Sequence, residues 1–274
     1  MKLAFSTNAF KQVSLEESLE QIAACGYAGV EIMADVPHAY PPHMDPRRRK
    51  TVVEQLKRLR LGLTNLNAFT LFAQGDTWHP SWIEPDPAAR ERRYEHTEAC
   101  IRLARDLGAP GLSLEPGGPL PDGMTREAAM ALYRQGLERC LPLADQCGVN
   151  LLVEPEPHLL IERPEQFEEL LTGFSHPRLG LNFDIGHFFC VGVDPAAAAR
   201  RLGPHIRHVH LEDIAPSREH KHLVPGHGAI DFPAVLGALR DVGYAGWITV
   251  ELYPYEAQAR EVADEAFKVL AKWF

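Results

Sequence analysis

The sequence lacks the features of several large classes of protein. No apolar stretch approaches the ~18 residues that a membrane-spanning helix requires, so no membrane segment is predicted. The first eight residues become polar too early to resemble a signal peptide. The five cysteines form no Cys-x-x-Cys pair, which is typical of reduced thiols in a cytosolic protein. Together these absences predict a cytoplasmic protein with no membrane partner.

Positive charge and nucleotide-binding loops are also scarce. The chain has 28 basic and 37 acidic residues, a formal net charge of −9, and its one short basic cluster is Arg47–Lys50. A surface that follows nucleic-acid phosphates carries the opposite charge, so no nucleic-acid partner is expected. The sequence contains no Gly-x-x-x-x-Gly-Lys, Gly-x-Gly-x-x-Gly or Gly-x-Ser-x-Gly motif. Nucleotide-dependent transfer and serine hydrolysis therefore lack their usual groups.

Short β-rich runs alternate with longer amphipathic stretches along the 274 residues. Eight such units imply parallel strands joined by right-handed crossovers. We predict a single α/β domain over residues 1–274, a closed (β/α)8 TIM barrel, with an open doubly wound sheet as the alternative. The predicted strands are 3–6, 29–33, 61–67, 111–115, 150–154, 179–184, 206–211 and 247–252, and the intervening helices include 14–25, 88–107, 125–147 and 257–272.

One long connection, 69–87, follows the third predicted strand. A loop of this length in a compact domain usually covers a binding site. Phe10, Phe72 and Trp78 could close over the apolar face of a sugar, or form a hydrophobic lid or a contact in a homo-oligomer. Trp78 is therefore a candidate substrate-binding residue.

Polar residues end most of the predicted strands, and in a (β/α)8 barrel these ends form the active site. Carboxylates gathered there repel one another unless a cation joins them. The set Glu154, Asp184, His210 and Glu251, from strands five to eight, favours Mn²⁺, Mg²⁺ or Co²⁺ over a cysteine-rich structural Zn²⁺ site. Strand-end residues that we expect to face a substrate are Asn67, Glu115 and Glu156.

Two histidines are further candidates for substrate binding. Gly186 lets the chain turn sharply after strand six, which would place His187 over the mouth as a metal ligand or a substrate contact. His222 lies in a Gly-rich loop after strand seven and is either a substrate contact or a solvated loop residue.

Five motifs occur in order: Val-Glu-Pro at 153–155, Asn-Phe-Asp-Ile-Gly-His at 182–187, His-Val-His-Leu-Glu-Asp at 208–213, Pro-Gly-His-Gly-Ala-Ile-Asp at 225–231 and Thr-Val-Glu-Leu at 249–252. Together they resemble the sugar phosphate isomerase/epimerase superfamily, whose xylose-isomerase-like barrels include ketose 3-epimerases, hydroxypyruvate isomerases and inosose dehydratases. The resemblance spans essentially the whole chain and is specific for the superfamily, not for a substrate.

The resemblance implies one divalent ion, most often Mn²⁺ although Co²⁺, Mg²⁺ or Zn²⁺ can serve, held by Glu154, Asp184, His210 and Glu251. It implies that Glu154 and Glu251 transfer protons and that His187 contacts the substrate. The expected activity is isomerisation or epimerisation of a small polyhydroxy ketone through a metal-stabilised enediolate.

Two departures from the pattern are visible. His222 stands where some ketose epimerases have an arginine, and the segment that follows His210 is longer, which disfavours a ketohexose substrate. An inosose-type dehydratase is the nearest alternative. An endonuclease IV-like repair enzyme is less consistent, because Asn65, Asn67 and Glu115 stand where that enzyme has early-strand zinc ligands. A non-catalytic sugar-binding barrel is a third alternative.

Overall fold

Eight parallel strands close into a barrel in sequence order, from β1 to β8, with β8 paired back to β1. The computed structural model of the protein describes residues 1–274. The predicted (β/α)8 barrel is confirmed, and strand bounds differ from the predicted ones by two residues at most. The strands are β1 Lys2–Ser6, β2 Gly29–Met33, β3 Gly62–Asn67, β4 Gly111–Leu114, β5 Asn150–Val153, β6 Leu179–Asp184, β7 Ile206–Leu211 and β8 Trp247–Val250.

Helices lie between the strands, and local side-chain caps fix where several of them begin. Ser14 caps α1 by accepting a hydrogen bond from the backbone N–H of Glu17, and Asp45 caps α2 in the same way, with Pro46 at the first position. No helix of the chain is both long and apolar enough to cross a membrane. The helices are α1 Leu15–Ala24, α2 Pro46–Leu59, α3 Pro87–Leu107, α4 Arg126–Cys147, α5 Pro164–Leu171, α6 Ile185–Cys190, α7 Pro195–Leu202, α8 Phe232–Asp241 and α9 Ala259–Leu270.

The barrel interior beneath its mouth is polar, whereas barrels are more often filled by branched apolar side chains. Buried amides and hydroxyls from several strands are hydrogen-bonded there: Asn65 donates to Ser113, and so does Asn182. The alternate residues of the same strands, such as Val209 and Phe183, are buried in the apolar core. This inward polar layer supports the side chains at the mouth, because the amide nitrogen of each of these asparagines donates a hydrogen bond that limits its motion.

A buried aspartate organises the long segment that follows β7. The carboxylate of Asp213 accepts backbone hydrogen bonds from Ile214, Gly226, Gly228 and Ile230 at 2.9–3.1 Å. A Cβ at Gly228 would lie 2.2 Å from the Asp213 carboxylate, so only glycine permits this approach. The sequence motif Pro-Gly-His-Gly is therefore a structural loop held by one carboxylate.

Asp213→Asn is expected to destabilise the protein by about 3 kcal/mol, because an amide presents only one acceptor oxygen to the four backbone N–H groups that the carboxylate now binds. Urea denaturation would measure the change. The matched control is Asp231→Asn, at the exposed cap of α8, where asparagine caps as well as aspartate and a loss below about 1 kcal/mol is expected. Equal losses in the two variants would contradict the role given to Asp213.

Candidate active site

Four strands bring three carboxylates and one imidazole together at the mouth of the barrel. One ligand atom from each of Glu154, Asp184, His210 and Glu251 lies within 4.8 Å of the others, and all four residues are buried. The Nδ1 of His210 lies 2.8 Å from Glu154, 3.6 Å from Glu251 and 3.9 Å from Asp184. The four residues that the sequence placed at consecutive strand ends therefore form one cluster.

Two oxygens of this cluster have no hydrogen-bond partner although they are buried. They are Oε2 of Glu154 and Oδ2 of Asp184. The other Asp184 oxygen accepts a 2.7 Å bond from the His187 backbone and so caps α6. Buried carboxylate oxygens normally have partners, and a mostly oxygen donor set with one imidazole suits a divalent cation. The residues present therefore fit a metal ion.

Glu31 on β2 fixes the orientation of the His210 ring from below. Its carboxylate lies 2.8 Å from Nε2 of His210, and it also accepts hydrogen bonds from Ser6 and Asn65. Burial alone would raise the pKa of Glu31, but the charges and hydrogen bonds of His210 and His208 hold it well below its usual range. The Glu31 carboxylate would keep Nε2 as the donor when a cation binds, so that Nδ1, which faces the cluster, would be the ligand atom once it has lost its proton.

Electrostatics in the cluster are dominated by burial and by His210. Burial raises the pKa values of Glu154 and Glu251 above the usual range, although the His210 imidazolium opposes the shift. Burial disfavours charge on His210 too, but Glu154, Glu31 and Glu251 outweigh it and raise the pKa of the imidazole well above its usual range. A cation at this position would relieve the same repulsion and would have to displace these protons.

Glu31→Gln is expected to weaken divalent-metal binding by about 10–100-fold, since removing the partner of a metal-ligating histidine has this effect in other sites. Isothermal titration with Mn²⁺ and Co²⁺ would measure it. Glu95→Gln, an exposed glutamate on α3, is the matched control and should bind as tightly as the wild type. Unchanged affinity in Glu31→Gln would show that Glu31 does not orient His210 for binding.

A cavity of about 440 Å³ opens above the cluster. Its wall includes Glu154 and Glu251 from the cluster, and the sequence-derived candidates Asn67, Trp78, Glu156 and His187. The long connection 69–87 contributes Phe69, Thr70, Phe72, Thr77 and Trp78, and the Trp78 indole N–H lies 3.4 Å from a Glu156 oxygen. This connection therefore covers the mouth, at the position expected for a binding loop.

Two of the candidates do not line the cavity. Glu115 is fully buried with its carboxylate 3.4 Å from the Arg93 guanidinium of α3, and burial raises its pKa to about 8 although Arg93 opposes the shift. His222 is also fully buried, behind the wall, with Nδ1 2.9 Å from the backbone carbonyl of Glu251. Their placement corrects the expectation that both face a substrate directly.

Gly186 has a different role from the predicted sharp turn. The residues after Asp184 begin the short helix α6, and His187 lies in its first turn. A Cβ at position 186 would lie 1.8 Å from a Glu212 oxygen, so any larger residue would have to displace the buried Glu212 carboxylate that packs against α6.

Several functional candidates were not selected from the sequence. Asn8 lies two residues after β1 and donates a 2.8 Å hydrogen bond to Glu251, and Tyr253 lies three residues after β8 and lines the cavity. Both are polar residues just beyond a strand end, which is the signal that could have identified them. His220 lines the cavity from the segment after β7, and no periodic pattern marks a residue in such a loop.

Comparison with known proteins identifies the family to which the chain is similar. A family model described as "Xylose isomerase-like TIM barrel" matches residues 19–273. An inosose dehydratase of Lacticaseibacillus casei is 26% identical over 293 aligned residues, covering 95% of this chain and 90% of that protein. The fold superposes on a D-tagatose 3-epimerase-like protein with a TM-score of 0.81 at 23% identity, covering 99% of both chains. It superposes equally well (0.81, 20% identity) on an IOLI protein with a bound zinc atom, covering 100% of this chain and 99% of that one.

Proposed function

Because the chain belongs to the xylose isomerase-like TIM barrel family, we propose that it is a divalent-metal-dependent enzyme that isomerises or epimerises a small polyhydroxy ketone. The observation that carries this proposal is the cluster of Glu154, Asp184, His210 and Glu251 at the floor of a cavity that two of its glutamates line. Proton transfer next to a carbonyl needs a base, an acid and stabilisation of a developing negative charge.

Glu154, Asp184, His210 and Glu251 would hold the metal ion. When bound, the ion would polarise the substrate carbonyl and stabilise the negative charge that develops on its oxygen. We propose Mn²⁺ as the ion, because three carboxylates and one histidine form a mostly oxygen donor set, while Co²⁺, Mg²⁺ and Zn²⁺ remain compatible with the same donors. The zinc in the related IOLI structure supports a divalent ion in a barrel of this fold.

Glu154 and Glu251 are the proposed proton-transfer pair. They arise from β5 and β8, three strands apart, so they approach a bound substrate from different sides of the mouth. Asn8 and Asn67 donate hydrogen bonds of 2.8 and 3.1 Å to the same oxygen of Glu251, which fixes the carboxylate for proton abstraction. One glutamate would remove the proton and the other would return it to the adjacent carbon or to the opposite face.

The cavity wall favours a neutral polyhydroxy substrate. His187, Glu156 and Asn67 supply hydrogen-bonding groups, and Trp78 and Phe72 supply apolar faces on which sugar C–H groups pack. No arginine lines the cavity, and the one lysine, Lys11, is paired with Glu256 at 2.6 Å. A phosphorylated substrate would lack a free cationic partner here, so we propose an unphosphorylated ketose or cyclic polyol ketone.

Dehydration is the second candidate activity, and the full-length relationship to an inosose dehydratase supports it. The first step is the same, because a carbanion next to a carbonyl with a β-hydroxyl group can expel that hydroxyl instead of being reprotonated. Glu154 and Glu251 would then serve the elimination, with one of them protonating the departing hydroxyl.

The experiment that separates these activities is incubation of a panel of unphosphorylated ketoses and inososes with Mn²⁺, Co²⁺, Mg²⁺ or Zn²⁺ in D₂O, followed by NMR. An epimerase or isomerase gives a stereoisomer or carbonyl isomer that carries deuterium at the exchanged carbon. A dehydratase gives a product lighter by one water. Absence of exchange and of product on the whole panel, in protein shown to contain metal, would contradict the proposed function.

A further inference from the structure

Two buried charged residues from other parts of the barrel contact the connection 69–87, which forms one wall of the cavity. They are Arg93 on α3 and Asp35, which lies two residues after β2. Both are fully buried, and neither lines the cavity. Burying a charge costs free energy unless the group is paired and hydrogen-bonded, so the contacts of these two side chains indicate what they do.

The guanidinium of Arg93 binds both ends of the part of the connection that covers the cavity. Its Nε donates a 2.7 Å hydrogen bond to the carbonyl oxygen of Pro80, and its Nη1 donates a 2.9 Å bond to the carbonyl oxygen of Phe69. The planar arrangement of arginine donors suits two carbonyls at fixed positions, which the compact ammonium of lysine does not match. One side chain therefore joins residues 69 and 80, between which Phe72 and Trp78 lie.

Glu115 at the end of β4 supplies the negative charge opposite Arg93. Its carboxylate lies 3.4 Å from the guanidinium, and neither of its oxygens has a hydrogen-bond partner. A buried ion pair contributes little stability compared with apolar side chains of the same volume, so stability alone does not explain the pair. What the pair provides is a guanidinium that stays charged in the interior while its other donors bind the connection.

Asp35 binds the same connection through its N–H groups. Its carboxylate accepts hydrogen bonds from the Thr70 hydroxyl at 3.0 Å and from the backbone of Phe72 at 2.5 Å and of Ala73 at 3.2 Å. Arg93 thus holds carbonyls at the two ends, and Asp35 holds N–H groups between them. The two opposite charges fix complementary backbone groups of one segment.

The aromatic side chains on this segment depend on its backbone for their position. Phe72 and Trp78 are 38% and 40% exposed, so packing against the core does not fix them. The carboxylate of Asp76 accepts hydrogen bonds from the backbone of Trp78, and the Trp78 indole N–H lies 3.4 Å from Glu156 across the cavity wall. If the segment moved, both aromatic faces would leave the cavity with it.

We propose that Arg93 and Asp35 are positioning residues for substrate binding, which hold residues 70–79 in their binding form before the substrate arrives. The substrate then meets Phe72 and Trp78 without the cost of ordering a loop, and this raises its affinity. The inference rests on the proposed function, because it concerns a wall of the same cavity.

The first test needs no substrate. Arg93→Lys keeps a positive charge opposite Glu115 but cannot bind both carbonyls, so hydrogen exchange should show protection of residues 70–79 reduced by about 10-fold or more, with the strands unchanged. Asp35→Asn should loosen the same segment, since only one acceptor oxygen remains. Arg92→Lys, at an exposed neighbouring position on α3, is the matched control and should exchange like the wild type. Wild-type protection of 70–79 in either of the first two variants overturns the proposal.

A second test separates positioning from stability. The double variant Arg93→Met, Glu115→Met removes both buried charges and should resist urea nearly as well as the wild type. Its segment 70–79 should still exchange fast. Its KM for the ketose or inosose that the wild type converts should rise by about 10-fold, equivalent to about 1.4 kcal/mol, with kcat close to the wild-type value. A pair that served stability alone would regain the wild-type KM together with stability, and that result overturns the proposal.

Failure of this inference differs from failure of the proposed function. No turnover of any ketose or inosose by the metal-loaded wild type contradicts the proposed function, and hydrogen exchange still decides whether Arg93 and Asp35 hold the segment. Turnover by the wild type with an unchanged KM in Arg93→Lys and in the double variant overturns the inference and leaves the activity standing.

Discussion

Glu251→Gln is expected to reduce incorporation of solvent deuterium into the substrate by about 10²–10⁴-fold, the range over which a positioned acid–base group contributes. A glutamine retains the hydrogen bond from Asn67 and one potential ligand oxygen, but it cannot accept a proton from carbon. Single-turnover exchange monitored by NMR in D₂O would measure the change directly, without dependence on the identity of the final product.

The metal content of Glu251→Gln must be measured in parallel, since Glu251 is also in the proposed ligand set. Exchange should therefore be compared at saturating metal, so that the lost rate reflects the lost base. Glu95→Gln is the matched surface control and should exchange at the wild-type rate. Wild-type exchange by metal-loaded Glu251→Gln would remove Glu251 from the proton-transfer pair.

Asp184→Asn is expected to lower the affinity of the carboxylate cluster for a divalent ion by at least about 100-fold, because a ligand contributes more than the outer partners whose loss costs 10–100-fold. The substitution is well matched to the structure. One Asp184 oxygen caps α6, which asparagine also does, while the unpartnered oxygen that faces the cluster is lost. Titration calorimetry would give the affinity.

Thermal unfolding provides an independent reading of the same change. An ion present at 100 times its dissociation constant stabilises the folded state by about 2.7 kcal/mol, so added metal should raise the melting temperature of the wild type and leave Asp184→Asn nearly unchanged. Asp194→Asn is the matched control, an aspartate cap of α7 away from the cluster, and it should respond to metal like the wild type. A full metal response in Asp184→Asn would exclude Asp184 as a ligand.

Metal affinity is also expected to rise with pH. The pKa values of Glu154, Glu251 and His210 are raised, so the metal-free cluster retains protons that a cation must displace. At lower pH these groups hold their protons more fully, so the protons compete with the metal ion and metal binding is weaker. At higher pH the groups lose their protons and metal binding is tighter. Dissociation constants measured at pH 6 and pH 8 should therefore differ, with the tighter value at pH 8. Equal constants would mean that these groups have already lost their protons in the metal-free protein.

The barrel architecture and the carboxylate cluster could be predicted from the sequence for a geometric reason. Strands in a closed parallel barrel all end at the same face, so polar residues at consecutive strand ends must converge whatever the details of packing. Glu154, Asp184, His210 and Glu251 needed only correct strand ends to be placed together, and those ends were predicted to within two residues.

The roles of residues that depend on partners from other helices or strands could not be predicted from the sequence. Glu115 also lies at a strand end, yet its carboxylate pairs with Arg93 of α3 and does not line the cavity. The amphipathic pattern of that helix gave no sign that one of its arginines would be buried in this pair. Glu31 lies within β2 and reaches His210 of β7 across the barrel, 179 residues away in the chain, while the register is irregular between β2 and β3 and between β6 and β7. Neither a buried ion pair nor a strand bulge leaves a periodic signal in the sequence.

The sequence alone therefore determined the barrel and the group of side chains at its mouth. The alternation of strands and helices can be identified from neighbouring residues, and the polar residues at the strand ends then lie at one face. Only the tertiary structure decided which carboxylates reach the cavity, that Glu212 packs against Gly186, and that His187, His220 and His222 meet. Those outcomes depend on distances of a few ångströms between segments far apart in the chain, which are set by packing and hydrogen bonding after the barrel has closed.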